Sequence, residues 1–229
     1  MTATGYFITG TDTGVGKTLV CCALLYGFAA LGKSVIGMKP VAAGAIRTTE
    51  GWLNDDVARL RAAANVEASQ SLLNPYCFEP PVAPHLAARE AGVEIDLDVI
   101  ARAYDELAAH SEIVIVEGVG GFCVPLNGSD DSADLAQRLG LPVLLVVGMR
   151  LGCLNHALLT AQAIRTRGLK LAGWVANHID PAMTRGNENV AALEQRLAAP
   201  RIARVVFSQP PDARHVARSF DIDALCGAI

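Results

Sequence analysis

The chain has 229 residues, 52% of them hydrophobic and 18% charged, which suits one sizeable core and leaves little room for a second domain. A formal net charge of -4, without any long run of Lys or Arg, excludes an extended nucleic-acid or anionic-membrane surface and leaves small molecules as the expected partners. Six cysteines without a C-x-x-C pair exclude a disulfide framework and a zinc site, and the longest apolar runs, such as Leu141–Val147, fall short of the ~20 residues of a membrane span.

Met1 to Gly5 pass straight into a strand with no basic segment and no small-residue cleavage site, so no signal peptide and a cytoplasmic setting are expected. That strand, Tyr6–Thr9, precedes the glycine-rich stretch GTDTGVGKT (Gly10 to Thr18) and then an apolar-rich helical stretch from Leu19 to Leu31. A second strand, Ser34–Met38, ends in the lysine of GMKP, Lys39. Asp55 and Asp56 stand just before Val57, Leu60 and Ala63, and so near a helix start, where an Asp is often only a cap. Asn74 to Pro84 carries four prolines in eleven residues and reads as an ordered loop. Leu97, Ile100, Tyr104, Leu107 and Ala108 share one helical stripe. Further strands are predicted at Ile113–Val116, Val143–Val147, Leu171–Ala176 and Ile202–Val206, mostly apolar throughout, as in a parallel sheet buried on both faces. Strand alternating with helix means βαβ units, so the fold class expected for 1–229 is a single α/β domain.

Gly10–Thr18 runs from a strand into a helix start, where unpaired N–H groups and the positive dipole end meet an anion. Thr13, Gly14, Val15 and Gly16 form the bend, Lys17 can reach β- and γ-phosphates, and the Thr18 hydroxyl can ligate Mg²⁺. Five residues separate Gly10 from Gly16 where the common P-loop has four, so the loop is a variant. EIVIVEG places Glu117 at the carboxyl edge of a buried strand, where ligands bind in open α/β sheets. Gly118, Gly120 and Gly121 follow, a run able to aim N–H groups at an anion. Lys39 is expected to face the same edge as Lys17, and two ammonium groups near one phosphate site imply a second anion.

Together TGTDTGVGKT, KPVAAG, VEGVGG, LGCLNHALLT and GWVAN, in that order from about Tyr6 to Asn177, resemble the dethiobiotin synthetase family. The resemblance implies a three-layer P-loop NTPase fold with a mostly parallel sheet and helices on both faces, working as a homodimer whose substrate site lies at the interface. It implies ATP-dependent carboxylation and ring closure of 7,8-diaminononanoate with CO₂ or bicarbonate, through a carbamate that takes the γ-phosphoryl group. By the same resemblance Thr13–Thr18, Asp56, Glu117, Gly118, Val119, Gly120 and Asn177 hold ATP, with Asn177 at the adenine. Thr18, Asp56 and Glu117 hold Mg²⁺, and Lys39 with Lys17 is catalytic. Thr11, Lys39, Ala43, Leu151, Gly152, Cys153 and Asn155 meet the substrate, LGCLN receiving its far carboxylate.

Three departures from the family pattern stand out. Ala43 replaces a hydroxyl residue, ARVVFSQPP lacks a Gly-x-Ile-Pro signature, and position 14 is glycine where relatives carry an acid. His85, His156 and Cys153 read as packing or capping residues, and Arg165, Arg167 and Lys170 as dipole partners on a solvated face. The rival class, switch ATPases with KGGxGKT loops, is disfavoured because Asp12 and Thr13 stand where their signature lysine and first glycine belong. An amide-forming synthetase would need a glutaminase domain, for which there is no room.

Overall fold

Alternation begins in the first strand, β1 (Thr4–Gly10): Tyr6 and Ile8 enter one apolar layer and Phe7 the other, all fully buried. The computed structural model describes residues 4–49 and 51–226. From β1 the chain passes through the glycine-rich bend into α1 (Lys17–Ala30) and returns as β2 (Val35–Met38). An excursion follows, made of β3 (Val41–Ala43), the antiparallel pair β4 (Ile46–Thr48) and β5 (Gly51–Leu53), α2 (Asp55–Ala63), α3 (Gln70–Leu73), β6 (Tyr76–Phe78) and α4 (Pro84–Glu90). Strict alternation then resumes: α5 (Leu97–His110), β7 (Ile113–Glu117), α6 (Ser132–Leu139), β8 (Val143–Met149), α7 (Cys153–Thr166), β9 (Leu171–His178), α8 (Gly186–Arg196) and β10 (Arg201–Val205). Two short helices, α9 (Ala213–Ala217) and α10 (Ile222–Cys226), complete the described chain.

Six strands form one sheet in the order β10-β9-β8-β1-β7-β2, and every neighbouring pair is parallel. Buried residues of α1, α9 and α10, with Leu60 and Ala63 of α2, cover the Tyr6 face. Those of α3 to α8 cover the Phe7 face. Helices on both faces explain why β7 and β8 are buried at every position, as their unbroken apolar sequences predict. The last residues, whose role the sequence leaves open, close the first layer: Val216, Phe220 and Leu225 pack against it, and Tyr6 Oη donates to the Leu225 carbonyl at 2.7 Å.

Two expectations need correction. Asn74–Pro84 is not all loop, because Tyr76–Phe78 pairs in parallel with Val41–Ala43. Its prolines stand outside that strand, and Pro84 opens α4, where a missing N–H costs nothing. Arg165 and Arg167 are not simply dipole partners. Arg165 donates to the Leu197 carbonyl at the end of α8, and Arg167 pairs with Asp131, at 3.1 Å, and Asp134, the capping-box residues of α6. Both arginines bind neighbouring helices together.

Candidate active site

Because β1 lies between β7 and β8, the bend after Gly10 emerges beside Glu117 on one side and the end of β8 on the other. Thr11 N donates to the Val146 carbonyl at 3.0 Å and Gly148 N to Thr11 Oγ1 at 3.3 Å, which stitches the start of the bend to β8. Gly16 closes it with φ 91°, and a Cβ there would lie 2.2 Å from Asn177 Nδ2, so glycine is required twice over. No side chain caps α1, which leaves its first N–H groups directed at the cleft. Lys17 folds back over the bend, donating to the carbonyls of Asp12 at 3.0 Å and Gly120 at 2.6 Å.

Below the bend four side chains meet. Thr18 Oγ1 lies 2.8 Å from Asp56 Oδ1 and 2.9 Å from Glu117 Oε1. Lys39 Nζ donates to Asp56 Oδ2 at 3.0 Å and to Glu117 Oε1 at 2.5 Å. Lys39 is fixed through its backbone, where N donates to the Leu73 carbonyl at 2.8 Å and O accepts from Asn74 Nδ2 at 2.6 Å. Burial disfavours the Lys39 ammonium, but the charges of Glu117 and Asp56 outweigh it and hold its pKa up at about 12. Burial likewise disfavours the Asp56 carboxylate, yet Lys39 and the Thr18 hydroxyl keep its pKa below the usual range. Lys17 is pushed down to about 8 by burial and then by the like charge of Lys39.

These residues also fit a Mg²⁺ ion. The Thr18 hydroxyl has one proton for two carboxylates, and Glu117 Oε2 is buried without any partner. A hydroxyl and two carboxylates are hard oxygen donors of the kind Mg²⁺ takes.

The cleft has a volume of about 730 Å³. Lys17, Lys39, Asp56, Glu117 and Ala43 all border it. Pro81 to Pro84 form a further wall of it, and Asn54 borders it beside Ala43 and Asp56. Asn54 carried a usable signal: it precedes two aspartates at a helix start, and it, not Asp55 or Asp56, is the N-cap of α2. The wall carried two: it belongs to an ordered proline-rich loop, in an α/β domain a common place for function, and its Ala83 and Pro84 open APHLAARE, a segment that resembles family sequence near the substrate pocket.

Other predicted residues fall in three groups. Val119 and Gly120 border the cleft beside Thr13, Gly14 and Gly16, with Val15 buried beneath them, but the Gly118 N–H is spent on the Ile8 carbonyl at 2.9 Å and is withdrawn from any anion. Asn177 is buried, with Nδ2 donating to the Val15 carbonyl at 2.7 Å, so one of its amide hydrogens supports the bend itself. Leu151, Gly152, Cys153 and Asn155 do open a helix, with Gly152 at φ 94° as its cap. They are not among the residues that border the cleft. Leu151 is 96% exposed, Asn155 is exposed and Cys153 is buried. His85 packs half-buried in the first turn of α4, its Nδ1 without a hydrogen-bond partner. Asp12 pairs with Arg150, at the head of the same LGCLN segment.

A strand, a glycine bend ending Gly-Lys-Thr and a helix, set in an all-parallel sheet with a strand-end acid beside the hydroxyl, define a P-loop nucleotide-binding protein. A family profile described as "AAA domain" matches residues 4–211. The chain is 58% identical to the ATP-dependent dethiobiotin synthetase BioD of Nitrosospira multiformis over 95% of each chain. It is 56% identical to the BioD of Aromatoleum aromaticum, over 93% of this chain and 95% of that one. The chain belongs to the ATP-dependent dethiobiotin synthetase family.

Among solved structures, the septum site-determining protein MinD from Pyrococcus horikoshii, complexed with Mg-ADP, matches at TM-score 0.59 and 15% identity, covering 99% of this chain and 98% of that one. FtsY of Thermotoga maritima matches at TM-score 0.54 and 18% identity, covering 99% of this chain and 68% of that one. At such identities the likeness is one of fold alone. Among the described residues no helix is long and apolar enough to cross a membrane.

Proposed function

We propose that this chain is a ligase that closes the ureido ring of dethiobiotin on 7,8-diaminononanoate, consuming CO₂ and ATP. Family membership supports the overall reaction, and the convergence of Lys17, Lys39, Thr18, Asp56 and Glu117 on one cleft is the observation that carries it. Thr18, Asp56 and Glu117 would hold Mg²⁺, which supplies charge neutralisation at the phosphates.

One substrate amine adds CO₂ to give a carbamate. Its oxygen, a poor nucleophile beside a polyanion, then takes the γ-phosphoryl group as ADP leaves. The neighbouring amine attacks the carbonyl carbon of that mixed anhydride, forming the second C–N bond and expelling phosphate. The protein's part is to hold charge and orientation. Lys39, protonated at neutral pH, offsets the carbamate's charge, Lys17 and the α1 N–H groups receive the phosphates, and no side-chain nucleophile is required.

Asn177 is read as a contact to the adenine, with one hydrogen of its amide already committed to the Val15 carbonyl. Ala43 and the Pro81–Pro84 wall provide an apolar side for the substrate's alkyl chain. Leu151, Gly152 and Asn155 face outward, with Leu151 almost wholly exposed. That supports a homodimer in which α7 of one protomer meets the substrate bound by its partner, with the substrate carboxylate at the helix N-terminus. The setting proposed is the cytoplasm.

The test is to combine the protein with Mg²⁺, ATP, bicarbonate and the diamine and to follow dethiobiotin by mass spectrometry. ATP hydrolysis that proceeds equally with and without the diamine overturns the reading.

A further inference from the structure

We propose that Asn54 is a positioning residue for Asp56. Asn54 is 6% exposed and uses both ends of its amide: Nδ2 donates to the Ala43 carbonyl at 3.1 Å, and Oδ1 accepts from Asp56 N at 3.0 Å. The first bond crosses to the end of β3, and the second fixes the first turn of α2, whose ladder opens with Ala58 N on the Asn54 carbonyl at 3.0 Å.

The covalent route between these two points offers no such rigidity. From Ala43 the chain turns at Gly44, φ 79°, and runs out through the β4–β5 hairpin, where Ile46 is 62% and Trp52 37% exposed. The outgoing limb is held by Ala45 N on the Phe78 carbonyl at 3.0 Å. Val57, Leu60 and Ala63 anchor the body of α2 in the core, and the Asn54 amide adds the bond that closes the hairpin base and ties the first turn of α2, where Asp56 stands, to the end of β3.

Asp56 is sensitive to that placement because its two oxygens have different duties. Oδ1 accepts from Thr18 and Oδ2 from Lys39, so a shift of the helix start that keeps one contact loses the other. Asparagine alone among the good N-caps can accept from Asp56 N and donate to a carbonyl at the same time. Aspartate lacks the donor, and serine is too short to span both partners. The inference rests on Asp56 serving the metal and phosphate site.

The variants Asn54→Ser and Asn54→Asp keep an acceptor for the cap and delete the bond to Ala43. Mn²⁺ binding in the presence of a non-hydrolysable ATP analogue, read by electron paramagnetic resonance, is measured beside Tm, kcat and the KM of the diamine. The expected result is a Tm close to that of the wild type, about tenfold weaker metal binding and a kcat lower by a similar factor, with the KM of the diamine little changed. A helix cap and nothing more predicts wild-type metal binding in both variants, and that result overturns the proposal.

A variant that folds poorly is met by a double-variant cycle: on an Asp56→Asn background, Asn54→Ser should weaken metal binding no further. A second tenfold loss there also overturns it. Failure of the ligase reading shows itself separately, as a wild-type protein that forms no dethiobiotin.

Discussion

Lys39 and Glu117 form an ion pair 2.5 Å long, with the ammonium 6% and the carboxylate 1% exposed. The same Glu117 oxygen touches Thr18, and Asp56 completes the charge around the lysine. One cation is thus held in place by the two carboxylates assigned to another, which makes Lys39 a reporter on the whole site.

Replacing Lys39 by alanine separates its two duties. Nucleotide affinity should stay within a few-fold, because Lys17 and the α1 amides remain, while turnover falls by about 10²- to 10³-fold. Glu117 is then left buried without its cation, and a destabilisation of about 3–5 kcal/mol is expected from an uncompensated buried charge. Added Mg²⁺ should restore much of that loss, seen as a larger metal-induced rise in Tm than in the wild type. A variant that turns over at the normal rate removes Lys39 from the mechanism.

Lys17 gives a pH signature. Its pKa in the folded chain is about 8, below the ordinary 10.5, because burial and Lys39 oppose the ammonium. Phosphate oxygens favour the charged form, so nucleotide binding above pH 8 must take up a proton and should weaken as pH rises further. Calorimetry in buffers of different ionisation enthalpy measures that uptake. For stability the sign is opposite: between pH 8 and 10.5 the unfolded chain binds the proton the folded chain has lost, so the Lys17 contribution rises over that window in the nucleotide-free protein, while buried thiols such as Cys21 and Cys22, their pKa values raised above 9.0, act against it. Lys39 acts the other way, with a contribution present below 10.5 and lost as pH passes through about 12. The contribution of Asp56 is present above 3.8 and disappears on the acid side below it. The Lys17 contribution is read as the difference between the wild type and Lys17→Met, and a difference that stays constant from pH 8 to 10 would show that Lys17 titrates normally.

What the sequence makes legible and what it hides divide along physical lines. The glycine bend, Glu117 at a strand end and Lys39 after β2 are local patterns, and the fold uses them where they are written. Pairing between β3 and β6 joins segments separated by α2 and α3, and no periodicity in three-residue strands announces it. The Gly118 amide looked available because glycine runs form nests, but the neighbouring strand claimed it through Ile8. Arg167 looked solvated because its partners, Asp131 and Asp134, lie on another helix. Asn54 was overshadowed by two aspartates with more obvious chemistry, although its amide determines where they sit.

Assembly can be tested on α7. Leu159 on α7 is 57% exposed and Leu151, just before that helix, is 96% exposed, two large apolar side chains left in the open on this part of the chain. Introducing a charge by Leu159→Asp should shift the protein toward monomer in sedimentation equilibrium. Because residues 151–155 of one protomer are read as completing the partner's substrate site, the KM of the diamine should rise about tenfold or more, while nucleotide binding, which uses groups within one chain, stays unchanged. A stable dimer with an unaltered KM would place the interface elsewhere.

Ala43 is the departure with the clearest structural address. It borders the cleft at the end of β3, and its carbonyl is already engaged by Asn54, so a longer side chain there reaches the cleft without disturbing the backbone. Ala43→Ser adds a hydroxyl, and one hydrogen bond to the carbamate or the amine is worth about 1 kcal/mol, or roughly fivefold in kcat/KM for the diamine. Ala43→Val adds bulk without a donor and should lower kcat/KM by narrowing the space between Lys39 and the Pro81–Pro84 wall. Steady-state kinetics on both variants decide the matter. If neither substitution moves kcat/KM, Ala43 lies clear of the reacting groups and the alkyl chain takes another path through the cleft.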